Sequence, residues 1–546
     1  MTAESIGAGK AGGYARYLES KTIQPERGDY YLSPTGEPTQ APGRWLASPD
    51  TLARLGIEGE SVEGPDFIAL MEGRHPHTGK WLRREGSNGQ RGGGIDLTFS
   101  APKSVSTVWA LGGDSQRRDL EAAHAAAVSE AMAHLTETVP TVRRRYGGEA
   151  IEEPAVDLIA AEYRHTTARG VMEGDVPDPQ LHSHVVITSA IRQDGRLVAV
   201  ASRPVFRSAR EVGAYYRSAL AHQLQQRGYT IESGTGKHGR YFEIAGVPRG
   251  LTDTFSARSR EVARAAERFR AKFGRAPERG ELRALKLENR KAKTLITHAD
   301  LQSAWNETAA RFDFTSEKPA RTIGAGDRLR ADGALEDRVE ERLTERAATF
   351  TPGELRAVVL EQSVGELSPQ QALGFTRAMI AERRVLPLEG GLMTTLAVRA
   401  REQAIERRFT ALATAGDRDV GESARRVAGD QVAERIGGRL SAEQAHALEV
   451  ITGAEHAAVL VGPAGTGKGV VIDAAARAEQ HAGHRTLGIA VSGSTAQRLG
   501  QDSPALADGT LTLDALVSRV ERGQLRVDER TTIYFDEAGM ADTNRL

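Results

Sequence analysis

Short apolar runs alternate with charged, alanine-rich stretches over the first three hundred residues of the chain. Segments such as VDLIAAEYRH and LHSHVVI combine β-branched and other apolar residues in the manner of strands, whereas RSREVARAAERFRAK has the composition of an exposed helix. An alternation of this kind predicts an α+β domain, which we place at residues 1–315.

The pattern changes twice beyond this domain. Residues 316–335 are polar and rich in small residues, which predicts a linker. Residues 336–430 are predicted to be mostly helical, with a strand-like piece at RRVLPLEGGLMTT that fits a small winged-helix-like unit. Residues 431–546 contain a capping-box start at Ser441 and Gln444, then the apolar run AAVLV and the turn GPAGTGKG. The order strand, glycine loop and helix predicts a partial α/β P-loop domain.

Composition narrows the class of protein. A chain of 546 residues suggests three to four domains, and its net charge of -1 shows no global basic excess, so any surface for nucleic acid must be local. The absence of cysteine excludes disulfides and thiolate metal sites. The N-terminus lacks the pattern of a signal peptide, and no apolar run approaches the length of a membrane span. These features predict a cytoplasmic protein that does not insert into a membrane.

Three histidines form the most informative pattern. Side chains two apart on a strand share a face, so His182 and His184 of PQLHSHVVI project to the same side, about 6–7 Å apart. His165 ends an earlier strand-like run, and antiparallel pairing of the two segments would bring it beside the pair. Three imidazoles with open positions are typical of a catalytic metal site. On the residues alone, a half-exposed polar face remains the alternative.

Tyrosines are concentrated at the N-terminus. Four of the 11 tyrosines, Tyr14, Tyr17, Tyr30 and Tyr31, lie within the first 31 residues. Core packing explains some of this concentration, and a tyrosine nucleophile explains more if a metal site is near. A phosphotyrosyl ester preserves the energy of the cleaved phosphodiester, so a DNA strand can be cut, held and resealed without ATP. A divalent cation assists such chemistry at the scissile phosphate.

Asp96, in the strand-like segment IDLTFSAPKSVS, is a candidate acidic partner for this chemistry. It is a candidate base near the phenol. A second role is to hold a metal-ligating histidine in one tautomer. An ordinary aspartate at a strand end is the third possibility.

The glycine loop of the C-terminal region predicts a nucleotide site. Backbone N–H groups of such a loop cradle phosphates, while its lysine reaches the β and γ oxygens. Asp536 and Glu537 end the apolar run TTIYF, which suits a magnesium-holding aspartate and a water-activating glutamate. Gly469 stands where a hydroxyl residue would ligate magnesium, so one ligand is missing. The predicted nucleotide-binding residues are Gln444, Gly462, Pro463, Ala464, Gly465, Thr466, Gly467, Lys468, Gly469, Asp536 and Glu537.

Together these motifs resemble the MobF-type conjugative relaxases, the TrwC/TraI family, in which a relaxase domain precedes a superfamily 1 helicase. The resemblance covers the whole chain. Its most specific parts are the tyrosines with GDYYL, the strand IDLTFSAPKSVS, the histidines of RHTT and PQLHSH, and GPAGTGKG with YFDEAGM. It implies an antiparallel sheet flanked by helices, with the metal histidines on central strands, followed by an incomplete N-terminal RecA-like domain of the helicase.

The resemblance also implies roles for single residues. Tyr14 is the initiating nucleophile with Tyr17 as its close neighbour, Tyr30 and Tyr31 serve a second strand transfer, and Asp96 lies near the nucleophile. Gln444 resembles the adenine-reading glutamine of superfamily 1 helicases. The implied ligands of a divalent metal ion, Mg²⁺ or Mn²⁺, are His165, His182 and His184.

The function implied is nicking of one strand at a plasmid transfer origin through a 5′-phosphotyrosyl intermediate. Expected partners are single-stranded and duplex origin DNA, accessory DNA-bending proteins and a type IV secretion coupling protein. A non-catalytic origin-binding remnant or regulator, or a rolling-circle replication initiator, remains the alternative. ATP with Mg²⁺ is expected to bind weakly at most. Helicase activity is doubtful because the chain stops at Leu546, soon after Asp536, which suggests a truncated gene or a fragment.

Two departures from the family pattern stand out. The spacing between His165 and His182 is stretched by TTARGVMEGDVPDPQ, which predicts a longer hairpin. Ser183 lies between the paired histidines, where a hydrophobic residue would fit the His-hydrophobe-His pattern.

Overall fold

The chain divides into two compact units. The computed structural model describes residues 1–7, 43–82, 92–146, 149–168, 176–235, 239–288, 298–315, 335–345, 347–416, 419–463 and 465–541. The first unit comprises Met1–Val339 and Pro352–Ala378, and the second comprises Glu340–Thr351 and Met379–Leu546. Most of the predicted linker lies outside the described residues, so the predicted domain boundaries stay predictions. In the described part of the chain, no helix combines the length and apolar character needed to cross a membrane.

Antiparallel strands form the centre of the first unit. Its strands are β1 (Thr2–Gly7), β2 (Arg44–Leu46), β3 (Gly93–Ser100), β4 (Val142–Tyr146), β5 (Glu149–Glu153), β6 (Asp157–Thr167), β7 (Pro179–Ile191), β8 (Leu197–Val198), β9 (Ile231–Thr235) and β10 (Tyr241–Ile244). The main sheet has the order β1-β3-β7-β6-β2, and β8 pairs with β7. Two separate hairpins, β4–β5 and β9–β10, complete the described strands of this unit.

The helices of the first unit flank this sheet. They are α1 (Pro49–Arg54), α2 (Gly64–Glu72), α3 (Lys103–Leu111), α4 (Asp114–Thr138), α5 (Ser202–Gln226), α6 (Arg249–Thr254), α7 (Ala257–Phe273), α8 (Arg279–Glu288) and α9 (His298–Ala310). Three further helices follow: α10 (Leu335–Thr344) and α12 (Pro369–Ala381) each begin in the first unit and end in the second, while α11 (Pro352–Gln362) lies within the first.

Both faces of the central strands are covered. On one face α4 and α5 pack against each other, and the ring of Tyr216 on α5 lies 5.3 Å from that of Phe99 on β3. On the other face α1 and α2 contribute to a core in which Phe67 contacts Trp45 and Tyr163. β7 is buried on both faces after His184, so its residues are mostly apolar there and the alternation of buried and partly exposed positions ends.

The second unit contains a small parallel sheet. Its strands are β11 (Val385–Pro387), β12 (Met393–Thr395), β13 (Arg485–Ala490), β14 (Thr510–Thr512) and β15 (Thr531–Asp536), and its helices are α13 (Leu396–Thr414), α14 (Glu422–Ile436), α15 (Ala442–Ile451), α16 (Lys468–His481), α17 (Gly493–Asp502) and α18 (Leu513–Glu521). The parallel sheet has the order β14-β13-β15, and β11 with β12 forms a hairpin at the predicted strand-like piece. These elements agree with the predicted partial α/β domain.

One predicted strand is not formed. The run AAVLV at residues 457–461 precedes the glycine loop without strand structure, and it belongs to none of the sheets of the described residues. Its side chains Val459 and Val461 are 66% and 87% exposed. Without a neighbouring strand to satisfy its backbone and without packing for its side chains, an apolar run alone does not make a strand.

Candidate metal centre and nucleotide loop

Two adjacent strands bring the three predicted histidines together. His165 on β6 lies directly opposite His182 on β7, and His184 lies two residues further along β7 on the same face. The ring centroids are 5.3 Å apart for His165–His182, 5.2 Å for His165–His184 and 5.4 Å for His182–His184. One nitrogen from each ring lies within 4.8 Å of the others. A cation with metal–nitrogen bonds of about 2.1 Å fits this arrangement after small side-chain adjustments.

Hydrogen bonds fix how two of these rings present their nitrogens. Nδ1 of His184 lies 2.8 and 3.1 Å from the carboxylate oxygens of Asp96, which is buried on β3. Nδ1 of His182 lies 2.8 Å from the carbonyl oxygen of Gln180. Because both partners are acceptors, each Nδ1 is the donor, and in a neutral ring the lone pair is then on Nε2. Neutral imidazoles of this tautomer are suitable ligands for a divalent metal ion.

The start of β7 is held by contacts that the sequence patterns did not reveal. Lys103, at the first turn of α3, donates from Nζ to the carbonyl oxygen of Pro179 at 2.9 Å. The backbone N–H of Leu181 donates to Oγ of Ser106 at 3.0 Å, and the side-chain amide of Gln180 donates to the carbonyl of Ala101 at 3.0 Å. Burial lowers the pKa of Lys103 to about 8. The segment APKSVS, which follows the strand that carries Asp96, supplies the partners for these contacts.

The four predicted tyrosines, Tyr14, Tyr17, Tyr30 and Tyr31, lie outside the described residues. Their placement relative to the histidines therefore stays a prediction. The described part of the site consists of the histidines, Asp96 and the residues that support them.

The predicted glycine loop leads directly into α16. Lys468 begins this helix, and its Nζ donates to the carbonyl oxygens of Gly462 at 2.7 Å and Pro463 at 3.0 Å. Oγ1 of Thr466 donates to the carbonyl of Pro463 at 2.9 Å. The side-chain amide of Gln444 donates to the carbonyl of Thr466 at 3.2 Å, and the capping box of Ser441 with Gln444 is formed as predicted. Ala464 lies outside the described residues.

Glycines at two positions of the loop adopt left-handed backbone. Gly465 and Gly467 have φ values of 82° and 80°, which a residue with a side chain rarely adopts. The second of these glycines directly precedes Lys468, the first residue of α16.

Gly469 is packed too closely to carry a side chain in this conformation. A Cβ atom there would lie 2.8 Å from Cβ of Asp502, and Oγ of Ser503 donates to the carbonyl of Gly469 at 2.8 Å. Asp536 ends β15, and Glu537 follows it in left-handed backbone with φ of 53°. The close packing of Asp502 thus leaves no room at position 469 for a side chain with a magnesium-ligating hydroxyl.

Family models match both parts of the chain. A model described as TrwC relaxase matches residues 11–312, and one described as an AAA domain matches residues 439–546. The multifunctional conjugation protein TraI of Escherichia coli is 29% identical over 419 residues, which is 71% of this chain and 21% of TraI. The probable conjugal transfer protein TraA of Sinorhizobium fredii is 37% identical over 108 residues, which is 20% of this chain and 10% of TraA.

Solved structures include similar chains. The conjugative relaxase TrwC in complex with oriT DNA, in its metal-bound structure, is 27% identical and covers 58% of this chain and 99% of its own, with a TM-score of 0.47. Its copper-bound structure gives the same identity, coverage and TM-score. The chain spans about a fifth of the length of TraI.

Proposed function

Because this chain belongs to the TrwC relaxase family, we propose that it is a DNA relaxase that nicks one strand at a plasmid transfer origin. The observation that carries the proposal is the histidine triad, with ring nitrogens within 4.8 Å of one another and a buried carboxylate behind His184. A divalent cation at the triad, Mg²⁺ or Mn²⁺, would supply positive charge that polarises the scissile phosphate.

The proposed cut is a transesterification. Tyr14 loses its phenolic proton and its oxygen forms a bond to phosphorus, while the bond from phosphorus to the 3′ oxygen breaks and that oxygen takes up a proton. The 5′ phosphate stays on the tyrosine, so that a later attack by a 3′ hydroxyl reseals the strand. Tyr17 is the neighbouring candidate nucleophile, and Tyr30 with Tyr31 would serve a second transfer.

Asp96 is best placed as a positioning residue. Both of its oxygens lie within 3.1 Å of Nδ1 of His184, so the carboxylate holds the tautomer that presents Nε2 to a cation. This geometry favours a role in orienting His184 over that of a base for the phenol.

We propose that the C-terminal region binds nucleotide weakly at most. The glycine loop and Lys468 supply the phosphate contacts, and Gln444 would face the adenine. Gly469 supplies no ligand for Mg²⁺, and the place of its missing side chain is filled by Asp502. DNA-stimulated ATP hydrolysis of this chain, measured by phosphate release, should therefore be close to background.

The proposed partners are single-stranded and duplex DNA of the transfer origin. Accessory DNA-bending proteins and a type IV secretion coupling protein would act with it, and the proposed compartment is the cytoplasm, where plasmid DNA resides. The curated relatives TraI and TraA are named for conjugation, which supports this assignment.

The test uses single-stranded origin oligonucleotides labelled at either end, incubated with the full chain and Mg²⁺ or Mn²⁺. A covalent 5′-phosphotyrosyl bond transfers the 3′-end label to the protein on a denaturing gel and leaves the 5′-end label on a shorter free strand. Tyr14→Phe and His182→Ala should abolish the adduct, whereas His446→Ala, at an exposed histidine of the second unit, should not.

Two results would change the proposal. Binding of the oligonucleotide without any adduct in the presence of either cation would favour the non-catalytic origin-binding protein. An adduct that persists in Tyr14→Phe would move the nucleophile to another of the four tyrosines.

A further inference from the structure

Ser183 turns away from the metal face and belongs to a buried hydrogen-bond chain on the opposite face of the sheet. Its Oγ lies 2.6 Å from Oε1 of Glu162 on β6 and 2.8 Å from Nε2 of His124 on α4. Nδ1 of His124 lies 2.8 Å from the hydroxyl of Tyr216 on α5. Nε of Arg44 on β2 donates to Oε2 of Glu162 at 2.7 Å. The chain of contacts thus joins three strands and two helices directly behind the histidines.

Each bond in this chain has one possible direction. Burial lowers the pKa of His124 to about 3, so its ring is neutral and carries a single proton. Oγ of Ser183 donates its only hydrogen to Oε1 of Glu162. The serine oxygen must therefore accept from Nε2–H of His124. Nδ1 of His124 is then an acceptor and receives the hydroxyl hydrogen of Tyr216.

Because only one arrangement satisfies all the hydrogen bonds of this network, the network fixes the register of the strands that contribute to it. Ser183 lies opposite Arg164 on β6 and opposite Phe99 on β3, and its two sequence neighbours are metal-ligand candidates. A slip of β7 by two residues would keep the same faces but would place Leu181 or Val185 at this position. The N–H of His124 and an oxygen of Glu162 would then be buried without Ser183, which is unfavourable.

We propose that Ser183, His124 and Glu162 are positioning residues that set the metal site by holding β7 in register against β6. The same register that satisfies Ser183 places His182 opposite His165, so the network on one face determines the spacing of the ligands on the other. This inference rests on the proposed function of the triad as a metal site. It assigns a role to the serine that departs from the His-hydrophobe-His pattern.

The experiment measures metal binding and folding separately. The metal-free full-length protein is titrated with Co²⁺, whose visible absorption reports both affinity and ligand geometry, and each variant is melted by circular dichroism. Ser183→Ala and His124→Phe should weaken Co²⁺ binding about 10-fold or more and change the absorption band, as losses of supporting hydrogen bonds do at other metal sites.

The matched control is His134→Phe. His134 is also buried on α4 and its Nε2 lies 2.8 Å from Oε1 of Glu211 on α5, whereas none of its hydrogen bonds or ring contacts within the described part of the chain reaches β7. This variant should lower the melting temperature about as much as His124→Phe while leaving the Co²⁺ affinity and spectrum unchanged.

The outcomes separate this inference from the proposed function. If the wild-type protein binds no Co²⁺, or if His182→Ala does not reduce binding, the metal site itself is wrong. If the wild type binds Co²⁺ and Ser183→Ala binds it equally well with the same spectrum, the network stabilises the fold only and the inference is overturned. Ser183→Ala removes a single oxygen atom, so it gives this answer even if His124→Phe does not fold.

Discussion

Glu361 on α11 makes a buried contact with three arginines of the first unit. Its carboxylate is fully buried and lies 2.7 Å from Nη2 of Arg210, 3.6 Å from Nη2 of Arg217 and 3.6 Å from Nε of Arg240. Arg210 and Arg217 belong to α5, which covers the sheet. A helix beyond residue 315 is thereby joined to the helix that packs behind the histidines. We expect Glu361→Gln to destabilise the first unit strongly.

The size of this effect follows from the burial of the partners. Removing one member of a buried ion pair costs about 3–5 kcal/mol, because the remaining charge stays in a poorly solvated place. The Arg217 side chain is only 9% exposed, so it suffers this penalty, whereas the side chains of Arg210 and Arg240 are about a third exposed and regain water. We therefore expect the lower end, about 3 kcal/mol. For a unit of this size, the melting temperature should fall by about 4 °C.

Thermal and urea unfolding of the full chain measure this change. The matched control is Glu307→Gln, which removes the charge from an exposed pair with Arg311 at 3.0 Å on and just beyond α9. An exposed pair of this kind contributes less than about 0.5 kcal/mol. Equal stability of Glu361→Gln and Glu307→Gln would refute the reasoning and would show that α11 contributes little to the first unit.

Two further predictions concern the metal site and its support. Asp96→Ala should weaken Mn²⁺ binding by about 10–100-fold in calorimetric titration, and Asp96→Asn by less, because only the former removes every oxygen that lies within 3.1 Å of Nδ1 of His184. Thr98→Val is the control and should leave the affinity unchanged, because its Oγ1 lies 3.5 Å from the same nitrogen, too far for a strong hydrogen bond. An unchanged affinity in Asp96→Ala would contradict the role of Asp96 in orienting His184. Burial lowers the pKa of Lys103 from its ordinary 10.5 to about 8, so below pH 8 the protonated amine destabilises the folded state, and this penalty is relieved as the pH rises towards 10.5. Relative to Lys103→Met, the wild type should therefore gain about 2 kcal/mol in urea unfolding between pH 8 and pH 10, and parallel pH profiles would exclude this effect.

The histidine site was predictable because its geometry is local. The two-residue period of a strand puts His182 and His184 on one face, and a single antiparallel pairing then brings His165 opposite His182. No further tertiary contact is needed to bring the three rings together, so a short sequence pattern was enough to predict the site. The role of Asp96 was harder to predict, because three roles were compatible with its position in the sequence. Only its distance to Nδ1 of His184 distinguishes these roles.

The supporting residues were not predictable for the opposite reason. His124 and Ser183 are 59 residues apart, and His124 and Tyr216 are 92 residues apart. Each looks like an ordinary polar residue in its own segment. The partners meet only after the helices have packed on the sheet, so no local pattern indicates their hydrogen bonds. The predicted strand before the glycine loop was wrong for a similar reason. An apolar run such as AAVLV becomes a strand only when another strand lies beside it.

The two candidate sites differ in what ligand binding requires of them. In the histidine site, hydrogen bonds that His184 and His182 donate to Asp96 and to the carbonyl of Gln180 already orient both rings, so a cation would meet ligands that need little rearrangement. In the glycine loop, Nζ of Lys468 donates to two carbonyl oxygens of the loop itself, and a phosphate must replace those bonds before it gains the lysine. Preorganised donors bind at a lower cost than donors that must first leave other partners. Together with the close approach of Asp502 to Gly469, this difference is why we assign the chemistry of the described chain to the histidines rather than to the loop.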